Sequence, residues 1–295
     1  MARTAVPTVP TMIGMNYYHE SMGDIARTDA EIEADLNKIL TLTNKIKIYH
    51  NPLEDNISVI SNIANRAKAR GFYVVWNENN DTTDLTTTTF NGTYTTNVLA
   101  DAAVAQSCGV DEFLISNEMS IHITGGDDLT SSANNYKIYV DALKALGTSV
   151  QAVFTRGPVG VQEVWGQDYK WGNNDGLGSL DKIYFTLYES DAQFNSSLGA
   201  IQSYNNLGTP AIGEFCTMGT MDTSAGTDEE LWARQISRRV EMLIDNDFTD
   251  AYFFTFRDTG ADGNGRGFGV LADGDDTNFH TAWQSLFRGR RWFIN

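Results

Sequence analysis

The sequence predicts a single (β/α)8 barrel spanning residues 1–295, on three observations. Short runs of β-branched and aromatic residues alternate with longer stretches of helical period. The runs number eight, and several are apolar throughout, as strands covered on both faces are. No linker composition separates them, and 295 residues suit one such barrel.

The first strand is expected at 13–17. Thr28-Asp29-Ala30-Glu31 then reads as a capping box, followed by Ile32, Leu36, Ile39 and Leu40 on one helical face. The second strand is expected at 46–49, and Ile57, Ile60, Ile63, Ala64 and Ala67 mark the next helix. After a third strand at 73–76 comes a Thr-rich loop at 81–89, then an Ala-rich helix at 97–107. A fourth strand at 112–116 leads to a helix marked by Tyr136, Tyr139, Val140 and Leu143 and expected to stop at Gly147. The fifth strand is expected at 150–154, with a long loop at 156–178 in place of a full helix. Strands follow at 182–187, 211–213 and 251–256. A second capping box, Thr227-Asp228-Glu229-Glu230, opens the helix before the last of them. A third long loop follows strand eight, and a closing helix is expected at 281–288.

The chain carries 38 acidic and 21 basic residues, a net charge of −17. A phosphate backbone needs a basic face, so nucleic acid is excluded as the expected partner. The charge suits an ordinary solvated surface, or high salt, where repulsion among carboxylates is screened. No apolar run is long enough to cross a bilayer, and the N-terminal residues have no continuous apolar segment of the export kind. Cys108 and Cys216 form no metal-binding pattern and are expected to pack as apolar residues. Residues 262–267 have some of the spacing of a calcium loop, but Arg266 occupies a ligand position, so a turn-rich loop is expected and no metal. No phosphate cradle or dinucleotide fingerprint is present, so no cofactor is expected.

Two glutamates carry the functional reading. Glu118 closes the fourth run, Phe113-Leu114-Ile115-Ser116-Asn117-Glu118, and Glu214 closes the seventh, Pro210-Ala211-Ile212-Gly213-Glu214. A carboxylate at the C-terminal end of a parallel barrel strand points into the mouth, where such folds place their chemistry. Two facing carboxyl groups are the machinery of retaining glycosidic cleavage: one protonates the leaving oxygen, and the other, ionised, attacks the anomeric carbon. A structural alternative is a carboxylate favoured by a helix N-terminus. Gly213 leaves room for a close approach beside Glu214.

At these residues the chain resembles the large clan of retaining (β/α)8-barrel glycosidases called clan A. The resemblance implies that Asn117-Glu118 ends strand four, with Glu118 as acid/base and Asn117 on the sugar 2-hydroxyl. It implies that Glu214 ends strand seven as the nucleophile. It also implies that Tyr188 ends strand six and hydrogen-bonds that nucleophile. Gly14-Met15-Asn16-Tyr17-Tyr18 resembles the clan's first strand, and Phe268 to Gly274 its segment after strand eight. The chain departs from the pattern twice. Many members have a tryptophan at the end of strand eight where Phe256-Arg257-Asp258 stands here, and an arginine on strand two where Tyr49-His50 stands.

His50 and Trp76 end strands two and three, where the resemblance implies sugar contacts; the alternative is that they are packing residues. Trp165, Tyr169 and Trp171, on the expected fifth loop, either stack on sugar rings or pin the loop to the barrel. His19 and Glu20 are weaker candidates, and Glu78 and Glu189 are reserve carboxylates. The expectation is a retaining O-glycoside hydrolase acting on a β-linked oligo- or polysaccharide. Its rivals are a transglycosylase using the same residues and a non-catalytic carbohydrate-binding or structural barrel of a cell surface or virion. A glycan-degrading role points to work outside the cell or on a particle, although no export signal is seen.

Overall fold

The computed structural model of the chain describes residues 13–18, 20–21, 25–53, 56–79, 90–119, 133–166, 176–203, 207–216, 229–254 and 256. Eight parallel strands close into a barrel: β1 (Ile13–Tyr17), β2 (Lys45–His50), β3 (Tyr73–Glu78), β4 (Glu112–Asn117), β5 (Val159–Val164), β6 (Lys182–Leu187), β7 (Ala211–Phe215) and β8 (Ala251–Phe253). They pair in sequence order, and β8 pairs back onto β1. The described α-helices are α1 (Asp29–Ile39), α2 (Ile57–Ala69), α3 (Thr95–Cys108), α4 (Ala133–Gln151), α5 (Asp191–Gln202) and α6 (Glu229–Asp245), with a π-helical turn, Phe90–Tyr94, leading into α3. A short two-stranded ribbon, Glu20–Ser21 with Ile25–Ala26, lies between β1 and α1. No described helix is long and apolar enough to cross a membrane.

Local chemistry sets the helix boundaries. At α1, Thr28 Oγ1 accepts from the Glu31 backbone N–H, and the Glu31 side chain accepts from the Thr28 N–H at 2.7 Å, closing the capping box. Gly109, at φ 75°, ends α3 in the left-handed conformation that glycine adopts at little cost. The apolar faces of these helices (Leu36, Ile39, Ile60, Ile63, Val98, Leu143, Val240) pack on the outward residues of the strands, among them Ile48, Trp76, Phe113, Ile183 and Phe215.

Two expectations are corrected here. The run 150–154 is not the fifth strand. Tyr139, Val140, Leu143, Leu146 and Val150 form one buried helical face, and α4 runs on to Gln151. Gly147 lies inside that helix, because its bare backbone packs against Leu180, leaving no space for a Cβ. The fifth strand is Val159–Val164, within the segment read as loop. Gly160, Gln162 and Glu163 break its apolar run, so it lacks the signature of a strand buried on both faces. α5 was not expected as an element; only Phe194, Leu198 and Ile201 mark its buried face among small and polar residues. The loops at 81–89 and after strand eight, the first residues of the second capping box and the closing helix lie outside the described residues.

Inside the barrel, the lower filling is ionic. Lys45 and Lys182 both pair with Asp250, Lys182 also pairs with Glu112 at 3.2 Å, and the Tyr73 and Tyr184 hydroxyls donate to Glu112. Val75, Leu114, Tyr184, Ala211 and Tyr252 pack beside this network. Burial works against the Asp250 anion, but Lys45 and Lys182 outweigh it and hold the carboxyl below its ordinary value. A depressed carboxyl stabilises the fold above the unfolded pKa, and that contribution is lost as pH falls through the folded value. Asp250→Ala leaves two buried ammonium groups facing one carboxylate. It should destabilise the protein by about 3–5 kcal/mol in urea unfolding at pH 7.

Candidate active site

Both candidate carboxylates stand where strand alternation breaks. Ile212 pairs with Phe185 and Glu214 with Thr186, so β7 carries one residue more than β6 across this step. β8 sees the same extra residue, pairing Ala251 with Ile212 and Phe253 with Phe215. Strict alternation from the inward Ala211 would turn Glu214 outward; the bulge at Gly213–Glu214 turns it into the lumen. β4 repeats the device, pairing Leu114 with Gly160 and Asn117 with Gln162. Glu118 follows at φ 48°, a left-handed conformation that costs a non-glycine residue free energy and that concentrates at functional sites. Its N–H is held by the Gln162 carbonyl at 2.9 Å.

Glu214 is buried, and three donors face its oxygens. Tyr49 donates to Oε1 at 2.5 Å, Gln162 Nε2 donates to Oε1 at 2.8 Å, and Tyr188 donates to Oε2. Burial and the Glu214 charge push both tyrosines well above their ordinary pKa, so they remain neutral donors. Glu118 reaches the same pocket: the Thr186 hydroxyl hydrogen-bonds it, and Thr186 also accepts from Gln162 Nε2 at 3.2 Å. Burial first, and the Glu214 charge second, raise the Glu118 pKa to about 8. Glu118 is therefore protonated at neutral pH, and its buried Oε1 has no hydrogen-bond partner among the described residues. Two carboxyl groups in one pocket thus hold different environments, one with a single hydroxyl donor and one with three donors.

Asn117 is buried and donates to Asn79 Oδ1 at 3.1 Å, beside Asn77 at 3.4 Å. The structure brings Glu118, Glu214, Asn117 and Tyr188 to one end of the lumen. It does not bring His50 and Trp76 there. They alternate with Tyr49 and Asn77 and face the helices, where the Trp76 indole donates to Glu78 at 2.9 Å and His50 Nδ1 stands 3.0 Å from Glu78 and 3.4 Å from Asp101 of α3. Trp165 is half-buried and packs edge-on against Phe185. Trp171, Tyr169 and His19 lie outside the described residues. Of the reserve carboxylates, Glu78 faces outward and Glu189 accepts from Ser197 at 2.7 Å.

Among the described residues, one group has the composition of a metal site: His50, Glu78 and Asp101, with one donor atom each lying within 4.8 Å of the others. The His50–Glu78 contact is accounted for by a hydrogen bond at Nδ1, and Asp101 stands in ion-pair range of the same nitrogen without hydrogen-bonding it; burial followed by the Glu78 charge raises the Asp101 pKa to about 7.

Sequence reasoning missed Tyr49, Gln162, Thr186, Lys47 and the aromatic wall at the mouth. In that wall Tyr18 stacks on Tyr49 at 4.3 Å, and Phe254 meets both Tyr18 and Tyr188 edge-on. The available signal was alternation. Lys45-Ile46-Lys47-Ile48-Tyr49 sets a polar side chain at every second position of a strand expected to be buried on both faces.

The fold is that of solved glycoside hydrolases. It superposes on a GH113 β-1,4-mannanase complex with a TM-score of 0.65, 12% identity, and 95% of this chain and 99% of that one covered. The Ignisphaera aggregans GH53 catalytic domain gives 0.61 and 17%, covering 97% and 98%. A Bacteroides uniformis β-glucuronidase gives 0.68 and 13%, covering 94% of this chain and 35% of that one. No family model matches the sequence, and no curated protein matches it.

Removing the Glu214 charge by Glu214→Gln should lower the Glu118 pKa from about 8. A pH titration of carboxyl 13C resonances in glutamate-labelled protein reads that shift.

Proposed function

We propose that the chain is a retaining O-glycoside hydrolase acting on a β-linked glycan. The observation that carries this reading is the pair of bulged strand ends that turn Glu118 and Glu214 into one pocket, with Glu118 protonated and Glu214 surrounded by donors. Fold neighbours named as a β-1,4-mannanase and a β-glucuronidase support the β-linkage.

In the first step a Glu214 oxygen forms a bond to the anomeric carbon as the glycosidic C–O bond breaks, and Glu118 gives its proton to the departing oxygen. Oε2, with a single donor, keeps the freer lone pair for this attack. In the second step the Glu118 carboxylate takes a proton from water, the water oxygen bonds to the same carbon, and the Glu214 ester bond breaks. Asn117 is the candidate for the sugar 2-hydroxyl, and the Tyr18–Tyr49 stack with Phe254 forms a wall for sugar faces.

Incubation with a panel of 2-fluoroglycosides, read by intact mass and peptide mapping, should place a glycosyl adduct on Glu214 and identify the sugar. A protein that binds glycans yet gains no adduct and releases no reducing ends would instead be the carbohydrate-binding barrel. Glu118→Ala should lower kcat by about 10²–10⁴-fold for substrates with poor leaving groups. The alkaline limb of kcat/KM should lie no higher than about 8, where Glu118 loses its proton.

A further inference from the structure

Beneath the carboxylates, Lys47 of β2 is completely buried at the centre of the barrel. Its ammonium donates to the Gln162 side-chain oxygen and to the Gly213 carbonyl, the latter at 2.8 Å. Gln162 in turn gives its amide N–H to Glu214 Oε1 at 2.8 Å and to Thr186 at 3.2 Å. An ammonium only donates, so it settles which way the Gln162 amide faces: oxygen down to Lys47, nitrogen up to Glu214. Gly213 makes this possible, because a Cβ there would collide with the Gln162 amide. The Asn16 amide also donates to the Gly213 carbonyl, at 3.1 Å, and the Tyr49 and Tyr252 rings flank the ammonium at 4.8 and 5.5 Å.

We infer that Lys47 is a positioning residue for the reaction proposed above: it fixes the Gln162 amide against Glu214, and its positive charge supports the Glu214 carboxylate during attack. The inference rests on that reading for its kinetic consequences; the coupling between Lys47 and Glu214 rests on the hydrogen-bond chain through Gln162 and on the attraction between the two charges. The charges acting on Lys47 are Glu214 on β7, Glu118 after β4 and Asp250 before β8. Burial lowers the Lys47 pKa to about 7 against the pull of these three. The sign follows: the cation is present below about 7, and as pH rises through that value Glu214 loses its support before Glu118 loses its proton near 8.

Lys47→Met should lower kcat about a hundredfold with KM within about threefold, since it disturbs the alignment of the nucleophile rather than the holding of the glycan. In the residual activity the alkaline limb should move up from near 7 toward the Glu118 value of about 8. The losses from Lys47→Met and Gln162→Leu should not add in the double variant, because one acts through the other. Additive losses, a kcat within about threefold of wild type, or an unmoved alkaline limb would overturn the inference.

A second measurement needs neither turnover nor a lysine variant. With lysine labelled at 13Cε, Lys47 should titrate near 7 in the wild type and at least about one unit lower in Glu214→Gln, since coupling between the two charges is reciprocal. An equal midpoint in both proteins sinks the inference even where kinetics are unreadable. A wild type that cleaves no glycan but shows the shift removes the hydrolase reading and leaves the Lys47–Glu214 coupling in place.

Discussion

A closed eight-stranded barrel has no room at its centre for water in bulk, so whatever the strands point inward must satisfy itself. Most of this molecule's organisation follows from that constraint, because its inward residues are unusually polar. Lys45, Lys182, Glu112 and Asp250 close the lower lumen as a network of opposite charges. Lys47 and Gln162 occupy the level above, and the two glutamates with their tyrosines lie above those. Each layer solvates the next, so the environment of Glu214 is built from beneath as well as from the mouth.

The two bulges are the second element of the design. Regular alternation would give one inward side chain for every two residues along β4 and β7. Inserting one residue in each strand lets Gly213 make space for the Gln162 amide while Glu214 still faces inward, and turns Asn117 to the same side of β4 as Leu114. The left-handed backbone at Glu118 serves the same end by aiming a side chain that the strand itself does not direct. The resulting asymmetry between the carboxyl groups needs no metal or cofactor to explain it. Burial and the neighbouring Glu214 charge outweigh the single Thr186 hydroxyl and keep a proton on Glu118, whereas three donors face the Glu214 oxygens.

Barrel closure and the two glutamates were legible in the sequence because apolar strand runs end directly at Glu118 and Glu214. The fifth strand was not, since Gly160, Gln162 and Glu163 serve the lumen and the α4 contact rather than a continuous apolar core; Glu163, for example, accepts from Tyr139 at 2.7 Å. The run 150–154 imitated a strand because a helix's buried face and a short strand look alike over five residues. His50 and Trp76 were expected at the mouth from their position at strand ends. Counting from Tyr49 and Asn77, both near the carboxylates or Asn117, would have placed them on the outer face.

The ionic lower lumen has a thermodynamic corollary. Exposing apolar surface raises the heat capacity of a chain on unfolding, whereas exposing polar surface lowers it. A barrel whose centre is filled by lysines, carboxylates and tyrosine hydroxyls therefore unfolds with a smaller heat-capacity increment than an aliphatic-filled barrel of equal length. Its stability curve is correspondingly broad, varying gently with temperature on either side of the maximum.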